Sequence, residues 1–131
     1  MIHCTSKLLR YQTRFSDGVY EAIADAPADK GGTHSGFLPH DLLEAALASC
    51  INITVRMYAD HHAIPLRAVT TRASIDHSRP DDVVFRYGVD LDGELTSEQQ
   101  DKLLLAAHAC PIRRIMSKAI RFESDLKAPS P

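Results

Sequence analysis

Tryptophan is absent from this chain, and aromatic residues make up only 6% of it. Aliphatic side chains must therefore fill the core. Cysteine is also scarce, with three in 131 residues. That is too few for a disulfide scaffold, and the odd count leaves at least one thiol unpaired. Neither sign of charge dominates: fifteen Lys and Arg stand against seventeen Asp and Glu. This balance argues against a general nucleic-acid or polyanion binder. No run approaches the roughly 18 apolar residues of a membrane helix, and Met1 to Lys7 lacks the basic-then-apolar layout of a signal peptide. A cytoplasmic protein with no membrane partner is expected. Seven His are present, yet none falls into CxxC or HExxH spacing, so no metal site is expected. There is no GxSxG, Walker loop or dinucleotide fingerprint, and no cofactor is implied.

What is present is ordinary globular composition, 44% hydrophobic and 24% charged. It suits one domain over residues 1–131, with 127–131 as a loose tail. Residues 7–15 suit an exposed strand, Asp17-Gly18 a hairpin turn, and Val19 to Ala24 a half-buried strand. Residues 26–39 read as a loop in which Gly31-Gly32 permits positive φ. Pro39 fits a first helical turn and Asp41 suits the dipole there. From Leu42 to Ala59 the chain is apolar on most sides, as a central helix would be. Asn52, Arg56 and Asp60 form its clearest polar row.

After Ile64-Pro65, residues 66–76 and 83–91 alternate as strands. Val69, Thr71, Ala73 and Ile75 form one face, and Val83, Phe85, Tyr87, Val89 and Leu91 form another. A turn is expected at Asp92-Gly93. Thr96 and Gln99 have capping-box spacing before a Leu-rich helix. Pro111 should end that helix by Cys110 and start a short one. Residues 120–126 read as a last strand. The order β-β-α-β-β-α-α-β favours an α+β fold with antiparallel pairs.

Cys50 falls in the middle of the long helix, sharing a face with Leu43, Ala46 and Leu47. Its position alone fits a small buried hydrophobe. Cys110 lies at a helix junction, where unpaired N–H groups, the dipole, Arg113 and Arg114 would all favour its thiolate. Cys4 has no comparable context. The late bases Arg113, Arg114, Lys118 and Arg121 read as a solvated helix face or a local anion site.

Gly31-Gly32, then Leu38-Pro39-His40-Asp41-Leu42-Leu43-Glu44-Ala45-Ala46-Leu47-Ala48-Ser49-Cys50, resembles the central helix of the OsmC/Ohr family. Asp92-Gly93, Leu95-Thr96 and His108-Ala109-Cys110-Pro111-Ile112 resemble its second block. Val55 to Asp60 with Ile64-Pro65-Leu66 is similar to a branch also found fused to α/β-hydrolases. The resemblance implies antiparallel sheets around a Cys-bearing helix, in an intertwined homodimer with sites at the subunit interface. It also implies a hydroperoxide reductase of oxidative-stress defence. Cys50 would be peroxidatic and Cys110 resolving, with a dithiol reductant, in some relatives a lipoyl protein, resetting the pair. Family peroxidases carry a Glu just after the proline that orients an Arg beside the thiolate. Here His40 stands there, followed by Asp41, and both are candidates for substrate binding. Arg14 is the best candidate for the Arg, with Arg10 behind it. The alternative is a non-enzymatic dimer that binds an apolar ligand or partner, with structural cysteines.

Overall fold

Helix α1, Pro39–His61, organises the chain. The computed structural model describes residues 1–125. Pro39 opens the helix, and the Leu38 N–H donates to Asp41 Oδ2 at 2.8 Å. Asp41 thus satisfies a backbone donor at the helix start. Leu47, Ile51, Val55 and Ala59, four residues apart, form its buried stripe. After the helix, Ala63 takes a left-handed conformation with φ 52°. By length and composition α1 also qualifies as a membrane-crossing helix. That corrects the expectation that no run approaches this size. In this fold its buried stripe supplies the main core.

Strands β4, Leu66–Asp76, and β5, Val84–Gly93, form a two-stranded antiparallel sheet. The expected faces meet in register: Val69 opposes Leu91, Thr71 Val89, Ala73 Tyr87, and Ile75 Phe85. The strand runs on through Asp92-Gly93 instead of turning there. Arg67 Nε donates to Asp92 Oδ2 at 2.8 Å across the ladder, so the expected turn residues are held as strand.

The polar side of α1 lies along β4. Asn52 Nδ2 donates to the Val69 carbonyl at 2.9 Å, and Arg56 Nη1 to that of Leu66 at 2.6 Å. The Ile75 N–H donates to Glu44 Oε1, and Thr71 Oγ1 to the Ala48 carbonyl, both at 2.8 Å. The Asp60 carboxylate lies 3.9 Å from Arg56 Nη1. Helix α2, Ser97–His108, and the short α3, Pro111–Met116, also pack on α1. Thr96 and Gln99 close the expected capping box at both ends. Leu103 is fully enclosed in the core.

Three short strands, β1 (His3–Ser6), β2 (Thr13–Ser16) and β3 (Glu21–Ala24), form a separate antiparallel sheet. Residues 7–15 are thus not one strand. The Lys7 N–H donates to the Gln12 carbonyl at 2.8 Å and Arg10 sits at φ 44°, so the chain turns there. The sheet joins the start of α1 through the loop after Ala24. There Gly31 takes φ 88°, and a Cβ on Gly32 would sit 2.0 Å from the Ala26 carbonyl oxygen. Buried Asp25 ties that loop, accepting from the N–H of Ser35 at 3.0 Å and from Thr33 Oγ1 at 2.7 Å. No strand forms over 120–125, where Ile120 and Phe122 are exposed. Leu126 and the expected loose tail lie outside the described residues.

Leu103→Ala should lower unfolding free energy by about 2–5 kcal/mol, read by urea denaturation. The Ser35 N–H, then the Thr33 hydroxyl, hold the Asp25 carboxyl below its ordinary range. The Ser78 hydroxyl, then its N–H, then Arg86 lower Asp76 to about 2. Both groups titrate lower folded than unfolded. Their contribution is therefore complete above the unfolded value near pH 4 and is lost as pH falls through the folded value. Asp25→Asn should reduce the fall in melting temperature on acidification, followed from about pH 5 to about pH 2.

Candidate active site

Cys50 sits on α1 one turn beyond Leu47, half-buried at the edge of the core. Cys110 occupies the residue before α3, with Pro111 as that helix's first position. Its backbone has extended ψ, 129°, as the following proline requires. The same proline ends α2, so the chain turns at Cys110 and carries the thiol inward. No surface of Cys110 is exposed. The two thiols, far apart in sequence, meet at one core cluster, with Cys110 inside it and Cys50 packed against it. Both are free, as is the exposed Cys4 on β1.

Burial pushes the Cys110 thiol up, and the neighbouring Cys50 thiol pushes the same way. The N–H groups of Arg113 and Ile112 face its sulfur and oppose this more weakly. The expectation that the helix terminus and two arginines would favour a Cys110 thiolate is therefore corrected. Desolvation exceeds the dipole here, because no part of Cys110 meets solvent. Neither guanidinium compensates. Arg113 Nη1 turns back to the His108 carbonyl at 3.1 Å, and Arg114 lines an outer groove. Cys110 keeps its proton, while Cys50 is the thiol that reaches solvent.

Two grooves open about one helical turn to either side of Cys50. One, of about 490 Å³, runs past Thr54, Met57, Tyr58, Leu105 and Pro111, with His61, Lys102 and Arg114 among its lining. The other, of about 310 Å³, is formed by Leu47, Val83, Phe85, Tyr87, Arg113, Met116 and Ser117. Thr54 Oγ1 donates to the Cys50 carbonyl at 2.7 Å, and the Tyr87 hydroxyl meets His108 Nδ1 at 2.8 Å. Thr54 and Tyr87 were not singled out from the sequence. Thr54 follows Cys50 by four residues, which is a usable signal. Tyr87 is brought in by sheet register, which leaves none.

The other candidates lie elsewhere within the chain. His40 and Asp41 are nine to ten residues before Cys50 on the same helix, about 14–15 Å along its axis. The His40 ring meets that of His77 edge-on at 5.1 Å, and Asp41 is engaged with Leu38. Arg14 Nη1 pairs with Glu21 at 2.8 Å on the N-terminal sheet. Arg10 donates to the Gly31 carbonyl. Among the described residues, no group of three or more His, Cys, Asp or Glu is placed to hold a metal ion.

In a Cys4→Ser background, a thiol reagent at neutral pH should label one cysteine of the native protein rapidly, Cys50. Cys110 should become reactive only on unfolding. Peptide mapping after timed labelling checks this, and equal native rates would contradict the burial argument.

A family model for OsmC-like proteins matches residues 32–125. No curated protein matches the chain. Among solved structures, a Psychrobacter arcticus 273-4 protein assigned to osmotic stress induction and the detoxification response is 24% identical. The match covers 87% of this chain and 85% of that one, with a TM-score of 0.73. An organic hydroperoxide resistance protein, OsmC, from Legionella pneumophila is 21% identical over 89% and 88% of the two chains, with a TM-score of 0.64. The organic hydroperoxide resistance protein OhrB of Bacillus subtilis is 22% identical over 89% of each, with a TM-score of 0.57. These structures share the arrangement of antiparallel sheets about a long helix, and the chain belongs to the OsmC-like protein family.

Proposed function

We propose that the protein reduces organic hydroperoxides in the cytoplasm through Cys50 and Cys110, as part of oxidative-stress defence. The observation that carries this reading is the packing of a half-buried thiol, Cys50, against the core cluster that holds a fully buried one, Cys110. The family relation supports it, since OsmC of Legionella pneumophila and OhrB of Bacillus subtilis are named for organic hydroperoxide resistance.

In the first step the Cys50 thiolate attacks the O–O bond of the hydroperoxide. An S–O bond forms, the O–O bond breaks, and the alkoxide leaves and takes up a proton as alcohol. Sulfur is oxidised to sulfenic acid. In the second step the Cys110 sulfur displaces that hydroxyl. An S–S bond forms, and the hydroxide combines with the Cys110 proton as water. A dithiol, such as a dihydrolipoyl protein, then reduces the disulfide by exchange and is itself oxidised to a disulfide. The larger of the two grooves suits the organic part of the substrate, because Met57, Tyr58, Leu105 and Pro111 offer aliphatic and aromatic surface to an alkyl chain.

A second copy of the chain completes the site in this reading. Leu43, Ile53 and Met57 project from α1 and are each half exposed or more, although the helix is the core of the fold. A partner packed on them would wall the opening beside Cys50. Arg14, His40 and Asp41 would then act on Cys50 from that partner, since within the chain they lie away from it.

Cys50→Ser should abolish turnover of an organic hydroperoxide. Cys110→Ser should permit one reduction and then stall as a sulfenic acid. Mass spectrometry after one equivalent of peroxide should show the wild-type chain 2 Da lighter, with Cys50 and Cys110 in one linked peptide (about two hydrogens lost per disulfide). Native protein that forms neither species, but melts higher with an apolar ligand, would instead support a binding protein with structural cysteines.

A further inference from the structure

We infer that Tyr87 and His108 form a positioning pair that holds Cys110 in line for attack on oxidised Cys50. This inference rests on the two-cysteine reading above and adds two residues to it. His108 is the last residue of α2, and three features of the structure converge on it. The Tyr87 hydroxyl, from β5, meets its Nδ1 at 2.8 Å. The two rings stand edge-to-face, with centroids 6.1 Å apart. Arg113, from the first turn of α3, donates to its carbonyl at 3.1 Å. The junction that carries Cys110 is therefore gripped through His108 by the sheet on one side and by α3 on the other.

The junction backbone is tied on either side of the cysteine, by the Ala109 N–H to the Ala106 carbonyl at 3.0 Å and by the Arg114 N–H to the Cys110 carbonyl at 3.1 Å, and its weak tie is at Cys110 itself. The Cys110 N–H reaches the Ala107 carbonyl only at 3.4 Å, long for such a bond. Pro111 has no N–H to contribute. Tyr87 is itself well anchored, opposite Ala73 in the middle of the β4–β5 ladder and packed against the core. The sheet also carries the backbone groups that α1 grips through Asn52 and Arg56. One chain of contacts thus runs from Cys50 through α1, β4, β5 and the Tyr87–His108 bond to Cys110. It fixes both sulfurs in a common frame.

Resolution is the step that such a frame would serve. The Cys110 sulfur must approach along the S–O axis of the sulfenic acid, and it competes with a second peroxide that would oxidise Cys50 to sulfinic acid. A displacement of about 1 Å can slow an oriented reaction a hundredfold. The Cys50 sulfur, which makes the first attack, is carried by α1 and not by the junction.

The test compares wild type with Tyr87→Phe, His108→Ala, His108→Asn and the Tyr87→Phe/His108→Ala double variant. Stopped-flow measurement follows peroxide loss and disulfide closure separately, and mass spectrometry gives the sulfinic fraction at excess peroxide. Tyr87→Phe and His108→Ala should leave the first step unchanged. Each should slow closure by about tenfold to a hundredfold and raise the sulfinic fraction. The double variant should be no worse than the singles, because both remove one bond. His108→Asn, which keeps a polar atom near the Nδ1 position, should restore most of the closure rate. A merely structural role would lower the melting temperature without this division between steps. Wild-type closure and sulfinic fraction in Tyr87→Phe would overturn the inference while leaving the two-cysteine reading intact. A wild-type protein that never forms a sulfenic acid would overturn both.

Discussion

Helix α1 is held to strand β4 by side chains bonded to backbone, and the geometry of both cysteines depends on that attachment. β4 has one strand neighbour, β5, so it is an edge. Edge strands leave backbone groups open, and proteins commonly cover them with a helix or loop. Here Glu44, Asn52 and Arg56 engage β4 backbone groups, while Thr71 reaches from the strand to the Ala48 carbonyl. These contacts are spaced by four residues along α1, so they fix the helix's rotation as well as its position. Rotation decides which residues face inward. With Leu47, Ile51 and Val55 buried, Cys50 comes to the border between the core and the opening.

Given that border position, burial separates the two thiols. Electrostatic proximity alone would have favoured Cys110, at a helix start with two arginines after it. The structure turns one of those guanidiniums to a carbonyl and leaves the other on a groove wall. A charged sulfur in a dry site loses solvation that two N–H groups do not replace. A neutral thiol is different, since it behaves as a small hydrophobe and packs without that loss. The fold therefore stabilises Cys110 in its protonated form.

The elements that could be read from sequence were those with local causes. Pro39, the Thr96–Gln99 box and the Cys110-Pro111 break each act within one helical turn. The alternation of Val69 to Ile75 and of Phe85 to Leu91 reports one buried face on each strand. Strand β1 has no such mark, because all four of its residues are exposed and only pairing with β2 makes it a strand. The Arg10 turn was hidden for a similar reason, since Arg carries no signal for positive φ. At the site, the two cysteines were visible as residue types with family neighbours. Their different burial was not, because it arises from packing among α1, α2 and α3. Tyr87 could be assigned to an inward face, but its hydroxyl's partner follows from where α2 crosses the sheet.

Pro111 connects these levels. It removes an N–H where α2 would continue and requires extended geometry at Cys110. It also supplies a favourable first residue for α3. The resulting turn directs the thiol into the core and leaves the Ile112 and Arg113 N–H groups facing its sulfur. Those N–H groups do not overcome burial in the resting protein. In the proposed mechanism they would matter more as Cys110 gives up its proton during disulfide closure, when negative charge grows on that sulfur. A group fixed before the reaction and aimed at developing charge stabilises the transition state more than the ground state. The N-terminus of α3 thus fits resolution better than resting activation. The same turn can keep Cys110 protonated at rest and still assist its attack.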